Sequence, residues 1–162
     1  MTQPSNDQPA FAFELEIESV EAMWQAAADW AGQHAGPGRV VALCGPLGAG
    51  KTQFARGVVR GLGGDETEVS SPTFGLVREY RSARPPVAHW DWYRLDRPEL
   101  LLETGWEDYL DDDWLILVEW AERFPDWLPP DTCWLRIDID NEHQRRLRSL
   151  PYPPPQSAGG PA

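Results

Sequence analysis

Lysine is almost missing from this chain of 162 residues. Fourteen side chains are lysine or arginine, and only one of them, Lys51, is lysine. Cysteine is scarce as well. Cys44 and Cys133 lie far apart, each in an apolar run, so buried reduced thiols are expected rather than a disulfide or redox pair. No stretch of about 20 apolar residues exists, so no membrane-spanning helix is expected. The amino terminus lacks a basic segment followed by an apolar one, which removes the secretory signal and leaves a cytoplasmic location as the expectation. Positive charge is short too. The formal net charge is −12, so the chain is not expected to grip nucleic acid alone, because phosphate backbones need a basic surface.

Residues 1–10 are polar and contain proline, and residues 151–162 hold five prolines and two glycines. Residues 1–10 and 151–162 read as disordered tails, leaving residues 11–150 as one domain. A domain of that length buries roughly two-thirds of the surface of its unfolded chain and needs no structural metal. The acidic run Asp111-Asp112-Asp113 reads as a solvated turn.

Periodicity supplies the elements. Phe11, Phe13, Leu15 and Ile17 alternate as a first strand, and Ser19 caps a helix running to about His34. Val40 to Cys44 and Leu115 to Val118 are continuous apolar runs, the pattern of strands buried on both faces of a parallel sheet. Strands are also expected at Phe74 to Tyr80, Val87 to Trp92 and, as the last one, Cys133 to Ile139. Helices are expected at Lys51 to about Leu62, Pro98 to Glu103 and Ala121 to Phe124. The expected fold class is α/β: a three-layer P-loop NTPase-type sandwich with a parallel central sheet and some antiparallel strands.

Between the first buried strand and the next helix lies Gly45-Pro46-Leu47-Gly48-Ala49-Gly50-Lys51-Thr52. This fits the phosphate-binding pattern G-x-x-x-x-G-K-[ST]. Glycines let successive backbone N–H groups turn inward around phosphates, and the helix amino terminus adds its positive end. Lysine is a compact point charge that the wider arginine fork does not replace well, which accounts for the one position where lysine persists. Lys51 is placed on the outer phosphates and the Thr52 hydroxyl on magnesium. Magnesium also needs a carboxylate at a neighbouring strand end, and both Glu119 and Asp91 qualify, Glu119 having the better strand. The polar segment Ser70-Ser71-Pro72-Thr73 lies where many P-loop hydrolases place a loop that senses the terminal phosphate, and from spacing alone a plain turn fits equally well.

Beyond the loop, Ser71-Pro72-Thr73-Phe74, Leu76-Val77-x-Glu79-Tyr80, His89-x-Asp91-x-Tyr93-Arg94-Leu95 and Val118-Glu119-Trp120-Ala121-Glu122 follow in order. Together these resemble the TsaE family, the ATPase subunit of bacterial tRNA threonylcarbamoyladenosine synthesis, over about Phe11 to Leu150. The resemblance implies ATP and magnesium as cofactors. It implies docking on the TsaD–TsaB pair, with tRNA met only through the complex. It implies that Thr52 and Glu119 bind magnesium, that Asp91 and Thr73 face the terminal phosphate, and that Trp120 lies beside the nucleotide. Arg145 is the expected nucleotide-side arginine, with Arg146 as its rival. Pro46, Gln53, Trp92 and Met23 depart from the usual pattern. Trp90, Trp92, Trp106, Trp114, Trp127 and Trp134 read as core. Two rival functions share the scaffold, a small-molecule kinase and a non-hydrolysing ATP-dependent binding module.

Overall fold

The computed structural model describes residues 12–72 and 75–151. The tails expected at residues 1–10 and beyond Pro151, together with Phe11, Thr73 and Phe74, lie outside the described residues.

Seven strands form a single sheet: β1 (Glu14–Ile17), β2 (Val40–Cys44), β3 (Val77–Tyr80), β4 (Val87–Asp91), β5 (Leu115–Glu119), β6 (Cys133–Ile139) and β7 (Arg145–Leu150). Their order is β1-β7-β6-β2-β5-β4-β3. The centre, β6-β2-β5-β4, is parallel, while β7 and β1 on one side and β3 on the other are antiparallel. This is the expected α/β arrangement. The continuous apolar strands β2 and β5 lie side by side at its middle, every residue buried.

Each face of the sheet carries its own core. Helices α1 (Val20–His34) and α2 (Lys51–Gly61) cover one face, packing Trp30, Phe54 and Val58 onto Val41, Leu43, Leu115 and Leu117. The other face is closed by the short helices α3 (Leu100–Glu103) and α4 (Trp106–Asp111) and by 3-10 turns at Ala121–Arg123 and Pro125–Trp127. There the tryptophans gather. Trp106 meets Trp90 edge-on at 5.1 Å and Trp92 at 5.4 Å between ring centres, an arrangement the ring quadrupoles favour. Trp90, Trp92, Trp106, Trp114 and Trp134 are buried as expected, and Trp127 is half-buried.

One α-helix and one strand were not expected. Helix α4 begins on Gly105 in a left-handed conformation, φ 77°, and ends inside the acidic run, whose three carboxylates are exposed. Strand β7 returns antiparallel along β6, so Cys133–Ile139 is not the last strand. Several expected elements are also shorter. The strand expected from Phe74 begins at Val77, after Leu76 at φ 59°, and the helix expected from Pro98 begins at Leu100.

Helices α1 and α2 touch almost backbone to backbone. A methyl added at Gly57 would lie 2.5 Å from the Trp24 carbonyl oxygen and 2.6 Å from the Ala27 methyl, and one at Gly61 would lie 2.7 Å from the Ala28 Cα. Only glycine fits at these two crossings. The contact seats Trp24 of α1 over the first turn of α2.

Candidate functional site

Residues 45–50 connect β2 to α2 at the carboxyl end of the parallel strands, where ligands of such sheets sit. Gly45 turns the chain out of β2 at φ 143°, with the Ile137 carbonyl oxygen only 2.3 Å from where a side chain would begin. Gly50 caps α2 in a left-handed conformation and no side chain caps the helix, so its first N–H groups keep their donor capacity.

Lys51, the single lysine, is 5% exposed. Its Nζ donates to the carbonyls of Gly45 at 2.7 Å and Pro46 at 2.9 Å. It also sits 4.0 Å from the centre of the Trp120 ring, within cation–π range. Burial pushes the ammonium pKa below its ordinary value, against the opposing pull of Glu119, Glu122 and Asp91. Trp120 holds this position with a left-handed backbone, φ 59°, and its ring meets Tyr93 at 4.8 Å.

Glu119 and Asp91 are register partners at the ends of β5 and β4, both buried. One oxygen of Glu119, Oε1, accepts from the Thr52 hydroxyl at 2.7 Å and from His89 Nε2 at 2.9 Å. Oε2 accepts nothing among the described residues, so the carboxylate is held by one oxygen with the other spare. Burial would push this carboxyl up, yet the bonds from His89 and Thr52 and the charge of Lys51 hold it below the usual carboxylate pKa. An ionised Glu119 only accepts, so His89 carries its proton on Nε2. The His89 Nδ1 lies 3.3 Å from the Tyr80 hydroxyl, which is also 3.3 Å from the Ser70 carbonyl oxygen.

Asp91 is fixed by both oxygens. Oδ1 accepts from the Tyr93 N–H at 2.9 Å and Oδ2 from the Ser71 hydroxyl at 3.2 Å. The polar loop before β3 is thus tied to β4 through Asp91, to β3 through Tyr80, and to α2 through Arg56, which donates to the Val69 carbonyl at 2.8 Å. Thr73 lies outside the described residues.

These groups line one cleft of about 540 Å³ that contains Lys51, Thr52, Ser71, Asp91, Glu119 and Trp120. Arg94 lines it too. On the far side of the loop is a second cavity of about 280 Å³, walled by Ile17, Ser19, Met23 and Arg145. Strand alternation separates the two candidate arginines. Arg145 faces this cavity, whereas Arg146 faces away and pairs with Asp140 at 3.0 Å.

Sequence reasoning gave no role to His89, Glu122 or Gln53. The period-two spacing of His89 and Asp91 in one strand puts both on the same face, a signal that could have found the histidine. Glu122 accepts from the Gly45 N–H at 3.4 Å, a contact that no spacing announces. Gln53 accepts from the Trp24 indole N–H at 2.7 Å.

A buried parallel strand, a glycine-rich loop and a helix that begins on a buried lysine and a threonine define a nucleotide-binding protein of the P-loop NTPase class. The family model described as "Threonylcarbamoyl adenosine biosynthesis protein TsaE" matches residues 17–147, and the chain belongs to the TsaE family. It is 38% identical over 109 residues to the tRNA threonylcarbamoyladenosine biosynthesis protein TsaE of Rickettsia felis, covering 67% of this chain and 63% of that one. The protein of the same name from Haemophilus influenzae is 42% identical over 99 residues, 61% of this chain and 62% of that one. That of Bacillus subtilis is 37% identical over 112 residues, 68% of each chain. The matched region therefore spans less than two thirds of the Rickettsia felis and Haemophilus influenzae relatives. Among solved structures, Bacillus subtilis YdiB superposes with a TM-score of 0.68 at 28% identity, covering 86% of this chain and 84% of that one.

Proposed function

We propose that this chain is the magnesium-dependent ATPase subunit that docks on the TsaD–TsaB pair. In that role it supports threonylcarbamoyl transfer to the adenosine beside the anticodon of tRNAs reading codons that begin with A. The observation that carries the reading is the convergence of Lys51, Thr52, Glu119 and Asp91 on one cleft at the mouth of the glycine-rich loop. Family membership supports the tRNA pathway.

The residues suit ATP and magnesium. Among the described residues no three His, Cys, Asp or Glu side chains gather as a metal cage. Magnesium does not need one, being held by one or two carboxylates together with phosphate oxygens. A threonine hydroxyl whose proton is committed to Glu119, beside a carboxylate with a spare oxygen, is a hard oxygen donor set of that kind. When bound, the metal neutralises charge on the outer phosphates. The Lys51 ammonium exchanges its two carbonyl partners for phosphate oxygens. Asp91, fixed at the strand end beside the Ser71 loop, orients the attacking water. Trp120 stacks over the ammonium and keeps water from it.

The two carboxylates are expected to separate by mutation. Glu119→Ala lowers magnesium dependence and nucleotide affinity together. Asp91→Ala leaves nucleotide affinity within about twofold but abolishes turnover, because its task is at the terminal phosphate. Calorimetric titration of MgATP beside a steady-state ATPase assay checks both, and the opposite pattern would exchange the two assignments.

The isolated chain is expected to hydrolyse ATP slowly. Fast P-loop hydrolysis needs a cation on the charge that develops in transfer, and no arginine's spacing commits it to the terminal phosphate, Arg94 of the cleft being the nearest candidate. Adding the TsaD–TsaB pair is expected to raise turnover, and the rise is expected to shrink with salt, since a −12 chain docks best on a basic surface. An ATPase assay across a salt series reads this out. Rapid turnover by the chain alone, indifferent to partner and salt, would remove the proposal.

A further inference from the structure

The cleft that holds Lys51 and the cavity that holds Met23 share three lining residues: Gly48, Gly50 and Gln53. Two of these have no side chain, so among the described residues Gln53 is the one side chain common to both cavities. A ligand with phosphates in the first and a nucleoside in the second crosses at Gln53.

The chemistry of Trp24 decides which end of the Gln53 amide meets that ligand. An indole N–H is a donor and never an acceptor, so the group 2.7 Å from it is the amide oxygen. The NH₂ end is left with two donors and no partner among the described residues. Trp24 itself is held in place, because Gly57 brings α2 against its carbonyl and the Arg56 guanidinium lies 5.6 Å from its ring centre. The amide is therefore pinned by its acceptor and presents its donors at the junction. A phosphate oxygen only accepts and fits that presentation, whereas an ammonium or another N–H donor at this place would be repelled.

We propose that Gln53, oriented by Trp24, donates to the phosphate nearest the nucleoside and makes this chain favour a nucleotide over bare pyrophosphate. Trp24 is a positioning residue in this arrangement. The inference rests on the nucleotide reading above and adds to it a contact built from this chain's own pair of residues.

The test is calorimetric titration of the full chain with MgATP and with magnesium pyrophosphate. Wild type, Gln53→Ala, Gln53→Glu and Trp24→Phe are compared, each checked for folding by circular dichroism. Gln53→Ala is expected to bind MgATP about tenfold more weakly, the scale of one hydrogen bond to a charged group. Gln53→Glu loses more, because it sets an acceptor against an acceptor. Trp24→Phe keeps the ring, removes the N–H and lets the amide turn, for a loss of a few-fold. Pyrophosphate, too short to reach the junction, binds all four alike. MgATP affinity unchanged in both Gln53 variants overturns the proposal, as does an equal loss for pyrophosphate. Unchanged affinity in Trp24→Phe beside a loss in Gln53→Ala overturns the positioning role. A wild-type chain that binds no MgATP overturns the nucleotide reading and this inference together, whereas wild-type binding with indifferent Gln53 variants overturns this inference alone.

Discussion

Lys51→Ala should bind MgATP about 1.5–3 kcal/mol more weakly than the wild-type chain, roughly ten- to a hundredfold, while keeping its fold. Lys51 is the one ammonium in the sequence, and its Nζ is already anchored on the loop through two carbonyls. Burial multiplies its worth to a phosphate, because little water competes for the charge. The same burial explains why the fold should survive. The ammonium pKa is pushed below its ordinary value, so below that lowered pKa the charged form is held at a cost to folding, and removing it relieves that cost. Arginine should not substitute, since a side chain 5% exposed between Gly45 and Trp120 leaves no room for a guanidinium fork. Calorimetry on a chain shown to be folded is the check. Unchanged ATP affinity in Lys51→Ala would remove the site assignment as a whole.

The largest expected loss of stability comes from the other face of the sheet. Trp106→Ala should destabilise the chain by about 3–5 kcal/mol, the usual range for emptying a buried aromatic site. Trp106 is 2% exposed and is the side chain through which α4 reaches both Trp90 and Trp92 of the β4 segment. Nothing small fills that volume, because the neighbours are themselves rigid rings. For a domain of this size the loss corresponds to a fall in melting temperature of roughly 10 °C. Thermal unfolding followed by circular dichroism reads it, and a melting point within about two degrees of wild type would contradict the packing described.

How much of this could be read beforehand follows the range of the forces. The phosphate loop, β2 and α2 were legible because everything that specifies them is local: an apolar run, a glycine spacing, a lysine and a threonine. Glu119 and Asp91 were legible as strand ends, since apolar runs stop at them. Strand β7 was not, because Arg145 to Leu150 mixes three arginines with leucine and serine without strict alternation and looks like a solvated surface. Its charges find their partners on the segments folded beside it, Arg148 with Asp138 at 3.1 Å and Arg146 with Asp140 at 3.0 Å and Glu14 at 3.7 Å. Helix α4 was hidden by its shortness and its acidic end. The His89 and Gln53 contacts cross 30 and 29 residues, and only the folded sheet and the helix crossing bring their partners together. The different surroundings of Arg145 and Arg146 likewise come from strand alternation, which no single sequence position reveals.

The glycine contacts between α1 and α2 divide the molecule into two kinds of mechanical part. With backbones this close at Gly57 and Gly61, neither helix can slide or roll past the other without collision, so they behave as one welded plate. That plate carries Ser19 and Met23 of the second cavity and the lysine and threonine of the first, and it keeps the span between them constant, as a ruler does. Opposite it, the exposed Ser70 and Ser71, between the buried Val69 and Pro72, are tied to Tyr80 and Asp91 by hydrogen bonds. A force applied at the cleft, by a ligand or by a docking surface, meets a stiff jaw on one side and a sprung one on the other. Displacement belongs to the sprung side.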